Sequence, residues 1–339
     1  MMFQEEASFF DSIGAKRSYL GVFGKHSQWA DHMPDIGMVT PSMIEFKRWL
    51  YLDGIRTAVD SRTWSESSSE GGVSKWGHRI LIWGAKGIIL AELFDTKDMR
   101  GRGAYPFVIC LHIPTGVLPM SFTPLWEVFD RFGEVCLFAK SQLELESLVR
   151  QVDSAILQVM GQVKPISMDS ISELEKRNFI SNPIFGHNSH KFKRILYNLV
   201  NQFREDQGHQ GKQTRSFRLP IGETMQEIDL FCYLLLYRSQ DPDAFIVSVS
   251  PNTGGYFDLF LGDLEASSVK DVKLSTKQIS VITDIAYSIP SEELERLALY
   301  EEEFIKLPPE ELPAIYAKKE DRALGSRILG GLMGRFGRG

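Results

Sequence analysis

The chain has 339 residues, 43% of them hydrophobic and 24% charged, with a formal net charge of −6. That is material for about two domains with real cores, at roughly 150 residues each, in the range of an ordinary globular protein. The acidic balance argues against a general nucleic-acid binder, which carries a basic face, and no apolar run approaches the roughly 18–20 residues of a membrane-spanning helix.

Residues 1–17 read as an N-terminal extension. They hold two early acids and no basic segment followed by an apolar one, so they do not resemble a secretory signal, and a cytoplasmic protein is expected. Cys110, Cys136 and Cys232 sit inside apolar runs; an odd number so placed predicts reduced, buried thiols. A first block spans 18–165. SYLGVFGK opens it as a strand, and FGKHSQWADHMPDIG (23–37) reads as a loop crowded with aromatic, charged and imidazole groups. Thr40 and Pro41 are an N-cap and first-turn pair for a helix over 41–54, with Ile44, Trp49 and Leu52 near helical spacing. A Ser/Gly-rich loop follows. HRILIWGAKGIILAELF is a hairpin around 84–87, and FVICLHIP is an apolar strand suited to the middle of a sheet. TPLWEVFDRFGEVCLFA is helical, with Gly133 as an interruption. SQLELESLVRQVDSAILQVM is a helix with Leu143, Leu148, Val152 and Ile156 on one face.

A polar link near 164–183 leads to a second block, 166–305. It contains an amphipathic helix at 190–206, a strand in SFRLPIG, an apolar helix at 224–239, a hairpin about Asn252–Gly255 and an acidic helix beginning at Ser291. Helices mixed with hairpins predict an α+β fold built on a mainly antiparallel sheet. FGKHS (23–27) is faintly echoed by FGHNS (185–189). The last stretch, 306–339, is Pro-rich, then Gly-rich and basic. From Lys318 onward six cations face two carboxylates, and Ile328, Leu329, Leu332, Met333 and Phe336 share one face on a helical projection. It reads either as a tail without fixed structure or as an amphipathic segment for a partner or an anionic membrane surface.

No combination of these residues by itself builds an active site. His26, Asp31, His32, His78 and His112 are of metal-ligating and acid–base types, but HxxxxDH is no known ligand spacing, and His112 sits in a core strand. There is no phosphate loop or nucleophile elbow. RGRGAY (100–105) could meet an anion, or its arginine could pair with a carboxylate at the base of the loop. Trp29, Trp64 and Trp76 occur in polar segments, where they cover a core edge or serve a contact surface. The expectation from residues alone is an interaction module with no catalysis and no cofactor. A metal-dependent hydrolase using His26, Asp31 and His32 is the alternative.

Two motifs in order carry a resemblance. Gly21, Phe23, Gly24, Lys25 and Asp31 form the first. Gly101, Arg102, Tyr105 and Pro106, leading into an apolar strand, form the second, with a Trp49–Leu50 helix and a hairpin between them. The arrangement over about 18–165 resembles the TagF family of type VI secretion accessory proteins. Ser27 stands where that family's first motif has proline, and Gly103–Ala104 fill a gap where one residue is usual. The resemblance implies a longin-like layered domain without catalysis and a regulator of a bacterial contractile secretion machine, in the cytoplasm or at the inner membrane. It also implies a forkhead-associated scaffold protein as partner. It makes Gly24, Lys25, His26, Trp29, Asp31, His32, Arg102, Tyr105 and Pro106 loop-organising or partner-binding residues. Lys25 and Asp31 are then expected to pin the loop, with Arg102 bracing it from the neighbouring turn.

Overall fold

The computed structural model describes residues 17–61, 76–84, 87–114, 122–162, 173–180, 192–198, 215–220, 244–249, 256–261, 269, 272 and 288–306. The helix expected at 224–239, Cys232, Trp64, the 185–189 echo and the 306–339 tail apart from Lys306 lie outside them.

Among the described residues, eight strands form one sheet: β1 (Tyr19–Lys25), β2 (His32–Ile36), β3 (Gly77–Gly84), β4 (Gly87–Phe94), β5 (Phe107–Ile113), β6 (Arg215–Pro220), β7 (Ala244–Val249) and β8 (Tyr256–Leu261). Their order is β2-β1-β5-β4-β3-β7-β8-β6, and each neighbouring pair is antiparallel. The α+β, mainly antiparallel reading therefore holds. Strands of the two sequence blocks meet in the β3–β7 ladder, from Arg79 opposite Val249 to Gly84 opposite Ala244. At the far end Arg218 and Asp258 sit opposite each other. They are joined twice, Nε to Oδ1 at 2.6 Å and Nη2 to Oδ2 at 2.7 Å, a planar fork that suits guanidinium and carboxylate.

The sheet is covered on both faces. Along a strand, alternate residues face opposite sides. Leu20 and Val22 of β1, Leu81 and Trp83 of β3, Leu90 of β4 and Ile109 and Leu111 of β5 enter one core. Helices α2 (Thr123–Leu137) and α3 (Gln142–Gln162) close that side, together with buried residues from a helix at 192–198 and from α5 (Ser291–Lys306). Phe23, Ile80, Ile82, Ile89, Val108 and Cys110 enter the other core. It is covered by α1 (Pro41–Lys47) and a π-helical continuation over Arg48–Arg56. Burial on both faces explains why β5 reads as an unbroken apolar run. Helix α4 (Glu173–Ile180) lies against α5, where Lys176 donates to the Ile305 carbonyl at 3.5 Å.

Local signals account for the helix starts. The Thr40 hydroxyl accepts the Met43 N–H at 3.3 Å, with Pro41 in the first turn. Ser141 accepts from the Glu144 N–H at 3.2 Å, while the Glu144 carboxylate accepts from the Lys140 N–H at 2.8 Å, a variant of the reciprocal cap.

Four sequence expectations need correction. The 23–37 stretch is not all loop, since it contains the edge strand β2. The helix from Pro41 does not stop at 54; it widens into a π segment and ends in a short α turn, Thr57–Asp60. Ile44 and Leu52 are each 54% exposed, while Trp49 is buried. In α3 the buried stripe is Leu145, Val149, Val152 and Ile156, and Leu143 is exposed. Spacing of four, three and four residues keeps that stripe on one side of a 3.6-residue helix, whereas Leu143 lies two residues, about 200°, from Leu145. Finally, Gly133 does not interrupt α2. A Cβ there would come 2.0 Å from Phe94 Cζ, so the glycine lets the helix settle against the β4 ring.

Candidate functional site

The two motifs meet beside the edge of the sheet. β1 pairs with β5 so that Gly24 lies opposite Phe107, which brings the end of the first motif against the end of the second. The Pro106 carbonyl accepts the Lys25 N–H at 3.3 Å and also the hydroxyl of Tyr51 from the π segment. Gly24 adopts φ 128°, and a Cβ there would lie 2.3 Å from the Pro106 oxygen and 3.1 Å from Phe107 Cα. Backbone atoms cannot swing away as a side chain can. Gly24→Ala is therefore expected to destabilise by at least the ~1–3 kcal/mol of a residue held in a sparsely populated conformation. Chemical denaturation checks this, and an unchanged midpoint would show that the two strands separate freely here.

Lys25 is the hub. Its side chain is 3% exposed, and its ammonium donates to Asp98 Oδ2 and to Asp31 Oδ1, each at 2.8 Å. The Asp98 carboxylate is shielded from solvent and also receives Arg102 Nε at 2.8 Å. Its other oxygen accepts the N–H groups of Arg100 and Arg102, each at 2.9 Å. Burial alone would raise the Asp98 pKa. The hydrogen bond from Lys25 and those from the Arg102 backbone and side chain outweigh it and hold the carboxyl far below the ordinary range. Arg102 reaches on to the Ala30 carbonyl at 2.8 Å and to Asp31 at 3.3 Å, and the Met99 N–H donates to the Trp29 carbonyl at 2.9 Å. The 25–32 stretch and the 98–106 turn are thus one interlocked unit.

The expected association of Lys25, Asp31 and Arg102 is present in the geometry, but its centre is Asp98, which the sequence reading did not name. Asp31 is the outer member, 70% exposed, its pKa lowered mainly by the hydrogen bond from Lys25. Of the two readings of RGRGAY, the geometry shows the carboxylate pairing.

His26 is fully buried. The Gln28 N–H donates to its Nδ1 at 3.2 Å, so Nε2 carries the proton and donates to the Cys136 carbonyl at 3.0 Å. Burial lowers its pKa against the opposing effect of that carbonyl. Trp29 is half-buried, its ring edge-on to His26 at 4.8 Å. His32 turns to the other side of the sheet, edge-on to Tyr105 at 4.9 Å and 5.5 Å from Tyr51. Partial burial, then the Lys25 charge, lower its pKa. The two imidazoles therefore lie on opposite sides of the sheet, His26 buried and His32 exposed, and do not converge on Asp31. Among the described residues, no group of three His, Cys, Asp or Glu side chains is placed to hold a metal ion.

No protein-family model matches the chain, and no curated protein is similar to it in sequence.

Trp76 is buried, its indole N–H donating to the Ala104 carbonyl at 3.0 Å, so this tryptophan seals the 98–106 turn from below. Cys110 and Cys136 are buried free thiols, with burial pushing Cys110 well above the ordinary thiol range and Cys136 up to about 11. That removes them from nucleophilic chemistry near neutrality. Among the described residues no helix is long and apolar enough to cross a membrane.

Proposed function

We propose that the chain is a non-enzymatic, TagF-like accessory protein of a type VI secretion apparatus that acts by protein–protein contact. The single observation that supports this reading is the interlock. The most deeply held charges near the motifs, Lys25 and Asp98, are committed to each other and to main-chain groups. They fix the shape of a surface loop and leave Trp29, Asp31, His32 and Tyr105 along its outer side. Charges bound in this way organise a recognition surface; a general acid or base needs a group free to exchange its proton with substrate. In this reading the chain works in the cytoplasm or at the inner face of the membrane, on a forkhead-associated scaffold protein or a sheath component.

The test is capture of partners by the full-length chain from its native host, read by mass spectrometry, beside metal analysis of the same sample. Secretion-sheath or scaffold proteins are expected among the captured proteins, with recovery reduced for Lys25→Ala. Absence of every secretion component, or one tightly held metal ion per chain, would overturn the reading.

A further inference from the structure

Beside the interlock lies a groove of about 710 Å³, walled by Gly24 and His32 on one side and by the helix over residues 41–60 on the other, with Tyr51 and Tyr105 at its base. Three features distinguish it from ordinary surface. First, its helical wall is the π segment, a winding that is rare and frequently found at functional sites. Second, the wall presents a row four residues apart that alternates apolar and basic: Ile44, Arg48, Leu52, Arg56. Positions four apart share a helix face. The two aliphatic members are each 54% exposed, so the same wall offers apolar surface beside its basic groups.

Third, the groove has an excess of positive charge along its walls. Its lining carries Lys47, Arg48 and Arg56 against a single carboxylate, Asp35. Asp35 is fully engaged with Lys47, at 2.7 and 2.6 Å from its two oxygens. Arg48 and Arg56 have looser neighbours outside the lining, Asp53 at 3.6 Å and Asp60 at 3.5 Å. Their side chains are 71% and 65% exposed. Exposed pairs of that kind hold little energy, so both guanidiniums can turn to a partner's carboxylates.

We infer that this groove receives an acidic amphipathic helix of a partner protein, whose own four-residue row alternates carboxylates with aliphatic side chains. The row from Ile44 to Arg56 spans at most about 18 Å at 1.5 Å per residue, which is too long for a single anion. A partner helix laid along the groove can bring its carboxylates to the two guanidiniums and its aliphatic groups to Ile44 and Leu52. The Tyr51–Tyr105 pair, 5.1 Å apart, gives the apolar side chains an aromatic floor. This inference rests on the protein-contact reading above and adds to it the surface and the chemistry of the partner.

The experiment uses the full-length chain and fluorescein-labelled helical peptides of about 16 residues, long enough to form a helix. One alternates Glu and Leu along a four-residue row, one has Lys in place of each Glu, and one has Ser in place of each Leu. Only the first is expected to bind, and R48E/R56E is expected to weaken it at least tenfold with an unchanged melting temperature, as is L52D. No binding of the Glu/Leu peptide, equal binding of the Lys peptide, or the same affinity for R48E/R56E would overturn the inference. So would loss of R48E/R56E binding to phosphatidylglycerol vesicles without loss of peptide binding, which would make the row a membrane contact. Host capture separates the two readings. Secretion components retained equally by R48E/R56E would refute the groove and leave the regulator reading standing. Arginine-dependent peptide binding with no secretion component captured would do the reverse.

Discussion

Lys25→Ala is expected to lower the unfolding free energy by about 3–5 kcal/mol, the usual consequence of deleting one partner of a buried ion pair. The cause is what remains. Without the ammonium, the Asp98 carboxylate stays out of solvent with Arg102 Nε and two backbone N–H groups. Asp98→Asn leaves the reverse problem, a cation that is 3% exposed and retains only the outward Asp31. Replacing both, as Lys25→Met with Asp98→Asn, should be much less harmful than the two single effects added together. The double-mutant cycle in denaturant measures that coupling, and simple additivity would show that the pair is not linked.

The pair also has a pH signature. The folded pKa of Asp98 is depressed from the ordinary aspartate value of 3.8. Its contribution is present in full above that value and is lost as pH falls toward the folded value. Asp98→Asn should therefore lose stability at neutral pH yet fall less steeply than wild type under acid. Asp31→Ala, at an exposed position, should leave the melting temperature close to wild type while reducing partner capture.

The contrast between Asp98 and Asp31 shows what the sequence could disclose. Strand and helix types were legible because alternation and helical spacing are local properties, and both hairpins were marked by turn residues. The π winding was not, because the Lys47–Thr57 stretch carries an ordinary amphipathic pattern. Within it Leu52 stays outside the core that Trp49 enters. Likewise β2 is short, interrupted by Pro34 and exposed at three of its five positions, so only pairing with β1 makes it a strand. Asp98 had a usable signal. An aspartate immediately ahead of a Gly-containing turn can accept that turn's N–H groups, and such an acid followed closely by two arginines, Arg100 and Arg102, is a natural anchor. Its partner Lys25 lies 73 residues away, and that pairing needed the β1–β5 register. Similarly, His26 and His32 look like a cluster in the sequence, yet His26 is buried in one core while His32 stays exposed beside Tyr51 and Tyr105 on the other side of the sheet.

The second large effect concerns a carboxylate outside the motifs. Glu92 on β4 is pressed under α2, with its side chain 7% exposed, near Arg79 Nε at 3.7 Å. Arg79 in turn is ion-paired with Asp130 and lies over the Trp126 ring at 5.6 Å. One guanidinium thus serves two carboxylates. Burial, only partly offset by Arg79 and reinforced by Asp130, pushes the Glu92 carboxyl from 4.5 up to about 8. The folded chain consequently holds a proton that the unfolded chain releases above 4.5. A raised folded pKa on an acid means stability that is complete below 4.5 and drains away as pH rises toward about 8, by about 1.4 kcal/mol for each pH unit crossed. Glu92→Gln keeps the shape and removes the titration. It should match wild type near pH 4.5 and exceed it increasingly up to pH 8, by a few kcal/mol at the upper end. Denaturant midpoints across that range make the measurement. Parallel curves for the two proteins would mean that Arg79 keeps Glu92 ionised throughout, with Asp130 held at the rim by solvent rather than by the shared guanidinium.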